Sequence, residues 1–127
     1  MGYDIEFIAL DPSATVKPPV DPGSAASLVT KSARTLDAAV VRETLLAVAG
    51  CKPGPDDSVD YLGAGLSYAR LRLEPKAVHV ENNCGAKDIL KIQAALAAKI
   101  GPVFILDLQS GQLHDAESFS QWWAKPL

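Results

Sequence analysis

The clearest pattern in the chain is a run of apolar residues with helical spacing that ends at a glycine–proline pair. These residues recur at steps of three and four over 86–100: Ile89, Ile92, Leu96 and Ile100. Lysines occupy the opposite side, so the pattern predicts an amphipathic helix over 86–100. Gly101 and Pro102 follow the last apolar residue, and such a pair commonly ends a helix.

Strands are predicted on both sides of this helix. Valines alternate with His79 and Glu81 over 77–82, which is typical of a strand with one buried face. A strand is predicted over 103–108, and because residues 103–106 are apolar on both faces, it needs cover on two sides. A further strand is predicted over 3–10, because Ile5 and Phe7 alternate there with acidic residues.

A hairpin is predicted where a fourth strand, over 66–74, is joined to 77–82 through Pro75 and Lys76. Pairing Glu74 with Ala77 sets the register: Leu73 opposite Val78, Arg72 opposite His79, Leu71 opposite Val80, and Arg70 opposite Glu81. In this register the aliphatic side chains lie on one face and the charged side chains on the other.

The remaining segments are predicted as helices and loops. A helix is expected most securely over 35–49, and 24–34 is interpreted either as its earlier part or as a separate turn of helix. Prolines and small polar residues predict loops over 11–24 and 51–60. Asp115 can cap a C-terminal helix that carries Phe119, Trp122 and Trp123.

This order of elements predicts a single α+β domain over 1–127. The expected fold is the ferredoxin-like βαββαβ pattern, an antiparallel sheet in which the last strand lies beside the first, followed by the third and the second. Both internal helices would cover one face, and the C-terminal helix would cover the apolar edge formed by the last strand. The other face would be open and carry polar residues: Asp4, Glu6, Tyr68, Arg70, Arg72, His79 and Glu81.

Composition narrows the classes of protein and of partner. The net charge of −3 and the pI near 5.2 argue against nucleic-acid binding, which needs a surplus of lysine and arginine. No apolar stretch approaches the length of about 20 residues that spans a bilayer, so no membrane is expected as a partner. Cys51 and Cys84 lack a CxxC spacing and no signal peptide precedes them, which favours a cytoplasmic location.

No catalytic, cofactor-binding or metal-binding residues are predicted, and the chain is not expected to be an enzyme. Cys84 at a helix N-terminus is the most reactive candidate, with His79 five residues earlier. No base is positioned for it, however, and a small residue packed in a tight turn is the favoured interpretation. His79 and Glu81 share a strand face and offer two metal ligands, but a stable site needs a third.

The C-terminal third of the chain provides a resemblance. Its segment 101–113, GPVFILDLQSGQL, is followed by an acidic-capped helix ending in Trp122 and Trp123. This arrangement resembles the tail of small proteobacterial immunity proteins of polymorphic toxin systems. Those systems are of the type VI secretion or contact-dependent kind. The resemblance implies a cytoplasmic inhibitor that binds one cognate toxin protein and performs no chemistry of its own.

The predicted partner-binding surface combines acidic loop residues with residues of the open sheet face. Its members are Asp56, Asp57, Asp60, Tyr68, Arg70, Arg72, His79 and Glu81. An acidic, charged face of this kind suits a basic partner, because complementary charge accelerates association. Two other interpretations remain open: a small enzyme or ligand-binding protein that uses the sheet face or Cys84, and a structural homodimer. The chain is expected to be a monomer or a homodimer.

Overall fold

A computed structural model describes residues 4–63, 68–81 and 85–124 of the chain. Within these ranges the protein is an α+β structure with one seven-stranded sheet and four α-helices. The strands are β1 (Ile5–Ala9), β2 (Cys51–Pro53), β3 (Val59–Leu62), β4 (Tyr68–Leu73), β5 (Val78–Glu81), β6 (Val103–Asp107) and β7 (Leu113–His114). The helices are α1 (Pro22–Ser32), α2 (Ala38–Leu46), α3 (Ala86–Ile100) and α4 (Ala116–Ala124).

The sheet order is β2-β3-β4-β5-β1-β6-β7, and every neighbouring pair is antiparallel. The four strands expected from the sequence are β1, β4, β5 and β6, and their relative order is confirmed. The ferredoxin-like βαββαβ topology as a whole is not confirmed, because β2, β3 and β7 enlarge the sheet beyond four strands.

The segment 51–60, predicted as a loop, instead contributes two strands and a short 3-10 turn, Pro55–Asp57. Val59 and Tyr61, on either side of Asp60, are fully buried, so β3 extends the apolar face of the sheet. Pro53 is tolerated because β2 is an edge strand. Proline lacks an amide donor, and on an edge strand its nitrogen can face outward, where no neighbouring strand needs a hydrogen bond. The loop prediction was therefore wrong: prolines and aspartates concealed two short strands.

The predicted β4–β5 hairpin register is confirmed. Arg70 lies opposite Glu81, and Arg72 lies opposite His79. The tight connection is closed by the Glu74 amide, which donates to the Ala77 carbonyl oxygen at 2.9 Å.

The main core lies on one face of the sheet, beneath α2 and α3. Its strand residues include Ile5, Phe7, Leu71, Val78 and Val80, all buried as predicted. α3 has the predicted bounds, Ala86–Ile100, whereas α2 is shorter than the expected 35–49 helix and begins after its cap, Asp37. None of the helices in the described ranges has the length and apolar character needed to cross a membrane.

Helix α1 and the segment before it cover part of the second sheet face, which was predicted to be open. Ala25 of α1 packs there in a second core cluster with Ile8, Leu10 and Leu113. Asp21 caps the helix by accepting from the Ser24 amide, so the predicted 11–24 loop ends at α1. The C-terminal helix was expected at this location, but its Phe119 packs into the main core on the other face.

Candidate functional site: the charged face

The part of the second sheet face that α1 leaves uncovered carries mostly ionisable side chains. They alternate with the buried residues of the same strands, so the strand period brings them to one side. We call this set the charged face: Asp4, Glu6, Lys52, Asp60, Tyr68, Arg70, Arg72, Glu74, His79 and Glu81.

Asp60 of β3 is the centre of a three-residue network on this face. The Arg70 Nε donates to Asp60 Oδ1 at 2.9 Å, and the Tyr68 hydroxyl donates to the same oxygen at 3.3 Å. A second guanidinium nitrogen of Arg70 donates to the Tyr68 hydroxyl at 3.1 Å. The hydrogen bond from Arg70 lowers the pKa of Asp60, so the carboxylate stays ionised.

A second ion pair runs diagonally across β4 and β5. The Arg72 Nε lies 2.6 Å from Glu81 Oε1. By register Glu81 stands opposite Arg70, but the guanidinium of Arg70 reaches Asp60 on its other side. The diagonal pairing thus follows from β3, the strand that the sequence did not predict.

His79 of β5 lies between two carboxylates. Its Nδ1 is 3.2 Å from Glu6 Oε2, and its Nε2 is 3.2 Å from Asp4 Oδ2. Burial lowers the pKa of His79, but hydrogen bonds to Glu6 and Asp4 and their charges outweigh it, so the net pKa is raised. Both ring nitrogens are therefore held in fixed directions.

The Pro55–Asp57 turn beside the charged face carries two carboxylates that are not paired. Asp56 and Asp57 both have left-handed backbone conformations, with φ of 54° and 62°. Neither side chain forms a hydrogen bond or ion pair with another residue of the described ranges. Ser58 closes the turn by donating its hydroxyl to the Pro55 carbonyl oxygen at 2.6 Å. The two charges consequently project into solvent from an ordered turn.

A cavity of about 620 Å³ lies between this turn, the end of β4 and the first turn of α2. The charged residues that line it are Arg42, Asp56, Asp57, Arg70, Arg72 and Glu74. Arg42 Nη1 is buried and has no hydrogen-bond partner among the residues described. The lining therefore presents both signs of charge, as a site for a zwitterion or for a mixed protein surface would.

All eight residues of the predicted surface lie on or beside the charged face. Six belong to the face itself, and Asp56 and Asp57 line the cavity together with Arg70 and Arg72. Glu74 was not predicted as part of this surface. It is spaced two residues from Arg72, as Arg72 is from Arg70, and so lies on the same face as those two arginines. Arg42 was not predicted either. The sequence carries no signal for it, because helix periodicity does not show that α2 lies beside the Pro55–Asp57 turn.

The cysteines offer no thiolate nucleophile in the described part of the chain. Burial raises the pKa of Cys51 to about 11, against a small opposing effect of the Lys91 charge. Cys84, the predicted turn residue, lies outside the described residues. Its proposed role as a packed residue is thus not addressed by the structure.

A hydroxyl–imidazole pair exists elsewhere, but substrate cannot reach it. The Ser118 Oγ lies 3.0 Å from His114 Nδ1. His114 is fully buried and Ser118 nearly so, and the imidazole packs against Phe119 and Trp122. This pair therefore belongs to the interior of the protein.

The D-x-Q-S-G segment of the resemblance forms a tight turn after β6. Asp107 is fully buried and accepts from the Gln109 amide at 3.1 Å and from the Ser110 hydroxyl at 2.5 Å. Gly111 has a positive φ of 80°, which a residue with a side chain rarely adopts. The segment is accordingly a structural turn.

Comparison with known proteins gives no match to a family model, to a curated protein or to a solved structure. We therefore argue function from the chemistry of the charged face. Its side chains are oriented by one another and exposed at their rims, an arrangement suited to recognition of another charged surface.

Proposed function

We propose that this chain is the immunity protein of a polymorphic toxin system, which binds one cognate secreted toxin in the cytoplasm and neutralises it without chemistry of its own. The observation that carries the proposal is the charged face together with the two unpaired carboxylates beside it. The resemblance of segment 101–113 to the tails of such proteins supports the same class.

The internal ion pairs prepare this surface for binding. Arg70 and Arg72 are already held by Asp60 and Glu81, at 2.9 Å and 2.6 Å. A side chain that is ordered before association loses less conformational entropy on binding. The pairs therefore supply orientation and selectivity, because a partner must match their alternating signs.

The unpaired carboxylates have a different role. Asp56 and Asp57 are not neutralised within the described protein, and the chain as a whole carries a net charge of −3. Unpaired charge at the rim of an interface mainly raises the association rate. The expected partner surface is consequently basic, with acidic positions that meet the arginines.

Co-expression with the product of the adjacent gene tests this proposal. We expect the two proteins to co-purify as a stable complex, and the chain to protect cells in which the partner alone arrests growth. A matched control is the variant Glu43→Lys, since Glu43 is an exposed residue between α2 and α3, away from the charged face. Failure of the neighbouring product to bind, or binding without protection, would reject the immunity function.

A small-ligand-binding function is the second candidate, favoured by the cavity of about 620 Å³. Arg42, with its buried and unpartnered Nη1, would receive an anionic group, and Asp56 or Glu74 a cationic one. Thermal-shift screening with amino acids and small zwitterions tests it. This function predicts stabilisation of the native protein that Arg42→Ala abolishes and Lys99→Ala does not.

We also propose that the fold is a ferredoxin-like unit enlarged by insertion. The elements β1, α2, β4, β5, α3 and β6 follow the βαββαβ order, and the β2–β3 hairpin is inserted after α2. Replacing 51–62 with a short glycine-rich linker tests this idea. A folded product would support an inserted hairpin, and an unfolded one would mean that the hairpin is part of the core unit.

The homodimer interpretation is tested by light scattering.

A further inference from the structure

Three potential metal ligands come together on the charged face from three different strands. Glu6 of β1 lies opposite His79 of β5, and Glu74 follows the end of β4 on the other side of His79. One ligand atom from each of these residues lies within 4.8 Å of the others. His79 and Glu81 alone lack a third ligand, whereas the sheet brings two other carboxylates to His79 from distant positions in the chain.

We propose that Glu6, Glu74 and His79 bind a divalent transition-metal ion, with Zn²⁺ as the best-fitting ion. One imidazole nitrogen with two carboxylates is a mixed set that suits zinc, whereas Ca²⁺ and Mg²⁺ favour oxygen ligands alone. Ligand atoms of a tetrahedral zinc site are separated by about 3.3 Å, given bonds of about 2.0 Å. The 3.2 Å between His79 Nδ1 and Glu6 Oε2 fits this separation.

Asp4 completes the outer shell that such a site requires. His79 Nε2 lies 3.2 Å from Asp4 Oδ2, on the opposite side of the ring from Glu6. Metal-binding histidines almost always donate their second ring N–H to a carboxylate or carbonyl group, which fixes the tautomer. Asp4 can thereby hold the proton on Nε2, and a metal ion would take the place of the Nδ1 proton that is directed towards Glu6.

The local charge favours a cation. Glu6 and Glu74 both approach the His79 ring, and a positive charge between them, from a protonated imidazole or from a metal ion, offsets their repulsion. Arg72 stands opposite His79 in the register, but its guanidinium is paired with Glu81 at 2.6 Å. A divalent ion would therefore balance charge that the nearest arginine does not.

The site would also be open to a further ligand. Three protein ligands leave at least one coordination position for water or another molecule, as in catalytic zinc sites. Glu74 belongs both to this cluster and to the lining of the cavity of about 620 Å³. An ion at this position would lie beside that cavity, a property that the proposed immunity function neither requires nor explains.

Titration of the tag-free, chelator-treated full chain with Zn²⁺ and with Co²⁺ at pH 7.5 tests the proposal. We expect one ion per chain by calorimetry, and a Co²⁺ visible spectrum without a thiolate charge-transfer band. Glu74→Gln, at an exposed position that should leave the fold intact, is expected to weaken binding at least tenfold. Asp4→Asn should weaken it by about 10-fold to 100-fold, the usual effect of removing an outer-shell partner.

Two matched controls separate this site from adventitious binding. Asp56→Asn removes an exposed carboxylate beside the same face but outside the cluster, and Cys84→Ser removes a thiol that could bind zinc in its own right. Both should retain the affinity of the natural chain within about twofold. The proposal is overturned if no saturable binding occurs, if Glu74→Gln binds as tightly as the natural chain, or if Cys84→Ser abolishes binding.

Discussion

Arg70 of β4 holds the carboxylate of Asp60 on the neighbouring strand β3 at 2.9 Å, and the Tyr68 hydroxyl donates to the same Asp60 oxygen. This contact attaches the β2–β3 hairpin to the centre of the charged face. It also sets the pattern of the remaining ion pairs, because Arg70 engaged with Asp60 leaves Glu81 to Arg72.

The Asp60 contact should make stability depend on pH at the acidic end. The hydrogen bond from Arg70 lowers the folded-state pKa of Asp60 below its ordinary value of 3.8, so its stabilisation is complete above that pH. It is lost as pH falls through the lowered value. We expect Asp60→Asn to reduce the free energy of unfolding at pH 7 by less than about 1 kcal/mol, as for other solvent-screened pairs.

Urea unfolding of the natural chain and of Asp60→Asn at pH 7 and pH 3 measures this effect. The difference between the two proteins should be smaller at pH 3, because Asp60 of the unfolded natural chain takes up a proton below its ordinary pKa of 3.8, whereas asparagine does not titrate. Asp56→Asn serves as the control, because Asp56 has no partner among the described residues. An Asp60→Asn difference that is unchanged at pH 3 would contradict the assignment.

Val59 should be essential to stability although it lies in a segment with loop-like composition. Its side chain is fully buried in the main core. Val59→Ala removes two methyl groups and leaves a cavity, which should cost about 2 kcal/mol of unfolding free energy. Leu62→Ala, at an exposed position of the same strand, should change stability by less than about 0.5 kcal/mol. Equal effects in chemical denaturation would mean that β3 is not packed as described.

Asp57 should tolerate only residues that accept a left-handed backbone. A φ of 62° raises the conformational free energy of most residues. The cost is smaller for asparagine, and glycine adopts this φ without cost. We expect Asp57→Ala to lower the melting temperature, with a destabilisation of about 1 kcal/mol, and Asp57→Asn and Asp57→Gly to preserve it. Preservation in the alanine variant would show that the turn adopts another conformation in solution.

Cys51 should react slowly with thiol reagents at neutral pH. Burial raises its pKa to about 11, so little thiolate is present at pH 7.5. In a Cys84→Ser background, where Cys51 is the remaining cysteine, we expect alkylation of the native protein to be much slower than of the protein in urea. Equal rates in the two states would contradict the described burial.

The sequence predicted those parts of the fold in which the spacing of apolar residues agrees with the residues that end helices or form turns. The α3 bounds and the β4–β5 register were both correct, because a single alternation separates aliphatic from charged residues there. The 51–60 hairpin was missed because its strands are very short and contain Pro53. The role of α1 was missed because local periodicity does not show which sheet face a helix will cover.

The candidate site was predicted in part for the same reason. Strand parity placed Arg70, Arg72 and His79 on one face without any knowledge of sheet order. The grouping of Glu6 and Glu74 around His79 could not be predicted, because it depends on which strands flank β5 and on side-chain directions. Arg42 reaches the cavity only through packing of α2 against the turn.

The most direct test of the protein-binding account is the kinetics of association with the co-purified partner at two salt concentrations. Reversing Asp56 and Asp57 to lysine should slow association about tenfold or more at low salt, with a smaller difference at high salt, because screening removes steering. The double variant Asp56→Asn, Asp57→Asn, whose residues accept the left-handed backbone, should show part of the same effect and separates charge from backbone strain.

Tyr68→Ala should instead speed dissociation, since it removes a contact inside the complex. Glu43→Lys, which reverses an exposed charge on α2 away from the charged face, is the matched control and should change neither rate constant beyond a small general effect. The account predicts this division between the two rate constants. Unchanged association in the Asp56 and Asp57 reversals, together with unchanged dissociation in Tyr68→Ala, would show that the partner binds elsewhere.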